Sequence, residues 1–235
     1  MSENTSRFDQ FYIKEDHFTE PKEYFKEALK IIQSRLSGTE TSMLDIGCAA
    51  GDFLRYVHSE CPSVNLHGMD AFAGVLDEAR ARVPGAVFHQ GDMNEGAVFA
   101  GGQKFDVVTM LGVLSIFSHE QWIRNFCSLM ERDGFGLIFG MINPYPYDVF
   151  VRLRNQKGEN EYGWNSWSAA TLTREFGALG YKVEIEHWTP PIDVSFRPED
   201  PLRSWSLDLR DGGKIIANGS RMIHDFAFVR VSPGN

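Results

Sequence analysis

Apolar and polar positions recur along the chain with two periods, and the switches between them mark the elements. Phe25, Ala28, Leu29, Ile32 and Leu36 follow three- and four-residue steps, the spacing of one helical face. The pattern predicts a first helix opening at Thr19, with Pro21 in its first turn and Gly38 ending it. Residues 1–18 ahead of it read as a polar, aromatic-bearing arm. Short apolar runs predict strands over 43–46, 65–69, 86–90, 105–111 and 135–142. Helices are predicted over 52–58 and 74–81, and another opens at Ser118, where Ser118-His119-Glu120-Gln121 has the form of a capping box. Strands alternating with helices imply right-handed crossovers and a parallel sheet.

The last third changes pattern. A helix from about Ser168 stops at Gly180 and feeds a strand over 181–188. After a Pro-rich connection, Trp205, Leu207 and Leu209 alternate with Ser204, Ser206 and Asp208, the period of a half-buried strand. Asp211-Gly212 turns the chain back through 214–217, and a final strand covers 222–231. Adjacent strands with no helix between them cannot both be parallel, so the sheet should finish with an antiparallel strand.

Composition narrows the classes. At 235 residues and 43% hydrophobic, the chain suits one α/β domain with a large core. A net charge of −9 and no dense Lys/Arg run argue against nucleic-acid binding. The start lacks the order of a secretory signal, and the longest apolar runs fall far short of the ~20 residues of a membrane span. Cys48, Cys61 and Cys127 are widely spaced, with no zinc pattern and no disulfide framework. A reducing cytoplasm is the expected location.

Ligands of such sheets lie beyond the carboxyl ends of the strands. The first strand runs into SMLDIGCAAGDFL, residues 42–54. A dinucleotide fingerprint starting at Gly47 would need glycine at 49 and 52, where the chain has Ala49 and Asp52. Asp52 sets a carboxylate at a helix N-terminus, where a phosphate would otherwise sit. No Gly-Lys-Ser/Thr follows, which excludes the Walker pattern. A ligand with positive charge and no phosphate suits the turn better.

LDIGCAAGD is similar to the first motif of class I S-adenosylmethionine-dependent methyltransferases, with Ala49 in place of the middle glycine. The resemblance is firm over 43–142 and continues through Val231. It implies a Rossmann-like, seven-stranded, mostly parallel sheet with an antiparallel last strand and helices on both faces. It also implies cofactor contacts by Asp45, Gly47, Cys48, Ala49 and Gly51 in the turn. Asp70, with Ala71, matches the acid that binds both ribose hydroxyls. Asp92, with Met93, matches the acid that accepts from the adenine amino group. Leu111 and Gly112 match the segment beside the methionine part. Within one domain, 1–38 would form an arm and helix lid, 39–150 the cofactor core, and 189–221 an insert with a hairpin near the acceptor. Taken singly, Asp70 and Asp92 are also ordinary turn residues.

The acceptor side is less legible. His119 is the candidate general base, with His17 in the arm as runner-up; a solvated histidine at a helix start is the plainer reading. INPYPY, residues 142–147, resembles the N-P-P-Y motif of amino-group methyltransferases but follows strand five instead of strand four. Asn143 and Tyr145 either line the acceptor pocket or belong to a chain break set by Pro144 and Pro146. Tyr12, Trp164 and Trp167 fall where family members form a lid, with ordinary packing as the alternative. His67, His89, His187 and His224 are expected within strands, as packing residues. No paired carboxylates follow strands four or five, so no metal is expected.

The favoured acceptor is a small molecule, through an oxygen of a sugar, sugar nucleotide or natural product. A protein or nucleic-acid acceptor, a non-catalytic binding protein and an aminopropyl-transfer enzyme are the alternatives. The insert would cover the acceptor or make a contact between two copies.

Overall fold

The computed structural model describes residues 20–36, 40–95, 102–161, 163–199, 202–219 and 222–234. The arm, with Tyr12, His17 and Thr19, lies outside the described residues, as does Gly38. The first helix, α1, is Glu23–Ile32, followed by a 3₁₀ turn over Gln33–Arg35. Its predicted apolar face is buried throughout, and each of its Phe, Leu and Ile side chains contributes about 1.5–3 kcal/mol on leaving water.

The cofactor half reads β1 Ser42–Ile46, α2 Asp52–Glu60, β2 Asn65–Asp70, α3 Ala73–Arg82, β3 Val87–Gln90, β4 Phe105–Leu111, α4 Gln121–Ser128 and β5 Met130–Asn143. A short hairpin, β6 Leu153–Arg154 with β7 Asn160–Glu161, precedes β8 Trp167–Ser168, α5 Ala169–Ala178 and β9 Tyr181–His187. The insert carries β10 Trp205–Asp208 and β11 Lys214–Ala217, and β12 Phe226–Pro233 closes the chain.

The main sheet has the order β3-β2-β1-β4-β5-β12-β9, with β8 added beside β5. Strands β1 to β5 pair in parallel, whereas β12 runs antiparallel to both neighbours, as the pattern predicted. Alternating strand residues divide the core. Leu44, Ile46 and Ile138 pack with Trp122 and Phe126 of α4 and Phe176 of α5. Met43, Leu137 and Phe139 pack with Phe25 of α1, Leu54 of α2 and Leu76 of α3. Helices therefore cover both faces.

Helix α1 opens at Glu23, so Pro21 precedes it and is not in its first turn. Three further predicted boundaries move by three residues or more. Helix α4 starts at Gln121 with no side-chain cap, so the Ser118 capping box is not used. Tertiary bonds decide this: the carbonyl of Phe117 accepts from Asn165 Nδ2 at 2.9 Å and Trp167 Nε1 at 3.3 Å. They hold the chain extended at Phe117. Strand β5 begins five residues early, because Met130 already pairs with Phe105. The last strand starts at Phe226, not Met222, because the hairpin captures the preceding residues. Ile223 bridges Ala217, and the His224 N–H donates to the Ile216 carbonyl at 2.8 Å. His224 thus lies outside any strand.

His67 and His89 do lie in neighbouring strands. Nδ1 of the first is 3.0 Å from Nε2 of the second, with ring planes within 8°. Burial lowers both pKa values, helped by His89 at the first and Arg80 at the second. The contact between the two rings clips β2 to β3.

Candidate cofactor site

Strand β1 ends at Ile46 and the chain turns sharply through three left-handed residues: Gly47 at φ 70°, Ala49 at 47° and Gly51 at 84°. A Cβ on Gly47 would lie 2.6 Å from Val113 Cγ1, so only glycine fits beneath the β4 loop. The N–H groups of Gly47 and Cys48 both donate to the Met69 carbonyl, at 2.7 and 3.0 Å. Ala49 takes the conformation of the glycine it replaces, which costs an L-residue about 1–2 kcal/mol. Its N–H donates to Asp70 Oδ2 at 3.0 Å. A hydrogen bond to a charged acceptor contributes about 1.5–3 kcal/mol, enough to offset that strain.

Asp70 also accepts from the Phe72 N–H at 3.1 Å through Oδ1. A carboxylate can accept about four hydrogen bonds. Asp70 therefore shapes the turn as well as facing the ligand edge. Ala71 beside it is exposed, and its carbonyl accepts from Gln90 Nε2 at 3.1 Å. Cys48 is buried, and burial pushes its thiol well above the usual range, with Asp45 and Asp70 adding to the shift. Asp52, in the first turn of α2, pairs at 3.1 Å with Arg82 in the last turn of α3, both largely buried. Its charge anchors the helix behind the turn.

Asp45 is buried, and Thr109 Oγ1 donates to its Oδ1 at 2.7 Å. Burial raises its pKa to about 7, the Thr109 bond opposes the rise and Asp70 adds to it.

Asp92 Oδ1 accepts from the backbone and side-chain nitrogens of Asn94, at 2.8 and 2.9 Å. Met93 is buried, and Asn125 Nδ2 donates to its carbonyl at 2.8 Å and to that of Glu95. Asn125 on α4 thus holds the loop after β3. At the end of β4, Leu111 is buried, and Gly112 just beyond it is exposed at φ 86°. The Tyr24 hydroxyl lies 3.7 Å from where a Gly112 Cβ would be, and the Tyr24 ring stacks on Phe139 at 4.6 Å. The sheet order brings the predicted cofactor residues to the carboxyl ends of four adjacent strands. Tyr12 is the exception, outside the described residues.

The acceptor candidates are more scattered. His119 is exposed between Phe117 and α4. Asn143 uses its side chain on its own turn: Oδ1 accepts from the Tyr145 N–H at 3.0 Å, and Nδ2 donates to the Tyr147 carbonyl at 2.8 Å. The Tyr145 ring is 70% exposed. Trp167 is no lid: it is fully buried against Trp122 and Phe150. Trp164 is half-buried and donates to the Leu202 carbonyl at 3.3 Å.

Sequence reasoning missed four residues. Thr109 is a lone polar residue in an apolar strand, and Asn125 a polar residue among Trp122, Ile123 and Phe126; both signals were present. Tyr24 sat unread beside Phe25. His224 is buried where the chain enters β12, with Nδ1 2.9 Å from Ser204 Oγ and Nε2 without a partner among the described residues. A cavity of about 480 Å³ lies elsewhere, lined by Glu23, Lys26, Tyr56, Glu60, Trp188 and Pro191 among others, and by no strand-end residue described above.

Residues 44–135 match the family described as methyltransferase domain. Over 97 residues the chain is 35% identical to dTDP-3-amino-3,6-dideoxy-alpha-D-glucopyranose N,N-dimethyltransferase of Streptomyces fradiae, covering 40% of this chain and 36% of that protein. Over 131 residues it is 26% identical to malonyl-[acyl-carrier protein] O-methyltransferase of Paenibacillus sp. (strain JDR-2), covering 54% and 46%. The chain spans less than half the length of the curated relatives it matches. Among solved structures, the DhpI-SAM-HEP complex superposes with a TM-score of 0.60 at 15% identity, covering 97% of this chain and 95% of that one. Residues 44–135 are thus similar to a methyltransferase domain, and the fold is similar to that of the DhpI-SAM-HEP complex.

Two substitutions test this construction. Asn125→Ala leaves two carbonyls without their donor, at a cost of about 1–3 kcal/mol; chemical denaturation should show that loss. Asp45→Asn tests the buried carboxyl. With its folded pKa raised to about 7, Asp45 keeps a proton that the unfolded chain has lost. Its stabilising contribution is full below the unfolded value of 3.8 and declines as pH rises through about 7. The variant should match the wild type near pH 4 and exceed its stability at pH 8 by on the order of 4 kcal/mol. Denaturation curves at both pH values check this.

Proposed function

We propose that this protein transfers the methyl group of S-adenosylmethionine to a small molecule, with a sugar or sugar nucleotide as the favoured acceptor. The observation that carries the reading is the strand-end set itself: a phosphate-averse turn, Asp70 beside it, Asp92 on the next strand and an open Gly112 on the other side. When bound, S-adenosylmethionine supplies a methyl group already activated on a sulfonium. Asp70 would hold the ribose hydroxyls, and Asp92 with Met93 would hold the adenine. Asp45 and the turn at Gly47, Cys48, Ala49 and Gly51 would face the cationic end, where a ligand ammonium would favour the carboxylate form of Asp45. Leu111 and Gly112 would flank the methionine part, and the missing side chain at Gly112 leaves room near Tyr24.

The chain's remaining task is to position the acceptor and remove its proton. His119 is the proposed base. Asn143 would act through the turn it shapes, and Tyr145 through its exposed ring. The 35% identical relative methylates an amino sugar by its name, which supports a nitrogen acceptor beside the oxygen favoured by the sequence reading. The acyl-carrier-protein relative supports a second reading, a carboxyl on a carrier protein. No nucleic acid is proposed as acceptor. Three free cysteines accord with a cytoplasmic location, and among the described residues no helix is long and apolar enough to cross a membrane. One domain and no metal requirement are proposed.

The test measures S-adenosylhomocysteine release with dTDP-3-amino-3,6-dideoxy-alpha-D-glucopyranose or malonyl-acyl-carrier protein as acceptor. Product with the first alone is expected; product with the second alone moves the acceptor to the carrier class, and product with neither rejects both. His119→Ala should lower kcat by about 10²-fold or more while leaving cofactor affinity unchanged. An unchanged kcat removes the base role.

A further inference from the structure

The segment that leaves the carboxyl end of β5 holds exposed rings and cations on a fixed backbone. Tyr145 and Tyr147 are 70% and 71% exposed, and Phe150 is 49% exposed. Exposure then alternates: Val149, Val151 and Leu153 are half-buried, whereas Phe150, Arg152 and Arg154 are exposed. That is the period of extended chain, and it turns one ring and two guanidiniums toward water.

The backbone beneath them is pinned. Val149 and Ser166 exchange backbone hydrogen bonds at 2.8 and 2.9 Å. The Phe150 ring packs edge-on against buried Trp167 at 5.5 Å. The Asp148 carboxylate accepts from the Ser168 N–H at 2.6 Å and from Thr171 Oγ1 at 2.8 Å, so its charge is spent on the start of α5. Asn165, buried, fastens the segment to the loop beyond Gly112. Its Oδ1 accepts from the Val151 N–H at 2.9 Å, and its N–H and Nδ2 donate to the Ser115 and Phe117 carbonyls, each at 2.9 Å. The segment therefore stands beside the ligand edge. Arg154 Nε donates to the Gly158 carbonyl at 3.0 Å, and neither Arg152 nor Arg154 meets a carboxylate among the described residues. Two cations left unneutralised on a chain of net charge −9 attract an anion.

We infer that this segment holds the nucleoside diphosphate part of a sugar nucleotide, an inference that rests on the acceptor reading above. The base would stack on a tyrosine ring, as bases do on exposed aromatic side chains. The guanidiniums would take the diphosphate by paired N–H···O bonds. Extended chain sets Arg152 and Arg154 about 6–7 Å apart, a span that two long side chains close onto one diphosphate. A carrier protein fits less well, because a standard protein contact draws on roughly 20–30 residues a side, whereas these rings and cations fall between positions 145 and 154.

Calorimetric titration of the full chain with thymidine diphosphate tests this without methyl transfer. The wild type should bind it saturably, and should bind thymidine or inorganic pyrophosphate alone more weakly. Tyr145→Ala with Tyr147→Ala should weaken thymidine diphosphate binding by about tenfold or more. Arg152→Ala with Arg154→Ala should weaken it as much and flatten its salt dependence. Affinity for S-adenosylhomocysteine, measured on the same samples, should hold in both variants. A wild type that binds S-adenosylhomocysteine but not thymidine diphosphate overturns this inference and leaves methyl transfer standing. Thymidine diphosphate binding undiminished in both variants overturns it too, and arginine variants that lose only binding of malonyl-acyl-carrier protein give the segment to a carrier protein instead.

Discussion

The bond from the Ala49 N–H to the Asp70 carboxylate joins the two parts of the site that matter most. It holds an alanine in a left-handed conformation at the tip of the turn, and it ties that turn to the end of β2. Most neighbouring features depend on this clamp. Gly47 and Cys48 hang from the Met69 carbonyl one residue before Asp70. Gly51 can then open α2, whose first turn is anchored by the pair of Asp52 and Arg82. One carboxylate thus holds the turn to the end of β2 and stands at the edge where the proposed ligand would lie.

The sheet order converts local chemistry into a site. With β1 and β2 flanked by β3 and β4, four loops from separate parts of the sequence meet along one edge. The two cores hold that edge from either side. Asn125 reaches from α4 to the loop after β3, and Tyr24 reaches from α1 to Gly112. Each long-range contact is a polar or aromatic residue placed where a helix would otherwise present an aliphatic one.

Legibility followed the range of the interactions. The turn was readable because short-range geometry dictates glycine at positive φ, and the alternation of strands and helices placed Asp70 and Asp92 at strand ends. The antiparallel finish was readable from the missing crossover. The start of α4 was misplaced because Ser118 has good capping chemistry, yet distant Asn165 and Trp167 hold Phe117 extended. The last strand was drawn too long because the hairpin takes His224 out of it. Trp167 resembled a lid in composition and proved a core residue, since three-dimensional neighbours decide burial. Asn143 lay in the expected place, but its amide bonds its own turn, which no spacing rule reveals.

The most direct test of the central claim is calorimetric titration with S-adenosylmethionine and, separately, NAD, on the wild type and on Asp70→Asn. Asparagine keeps one acceptor oxygen for the turn and removes the other. The account predicts saturable binding of S-adenosylmethionine, none of NAD, and clearly weaker binding of S-adenosylmethionine by the variant. Absent binding by the wild type, or undiminished binding by Asp70→Asn, would contradict it.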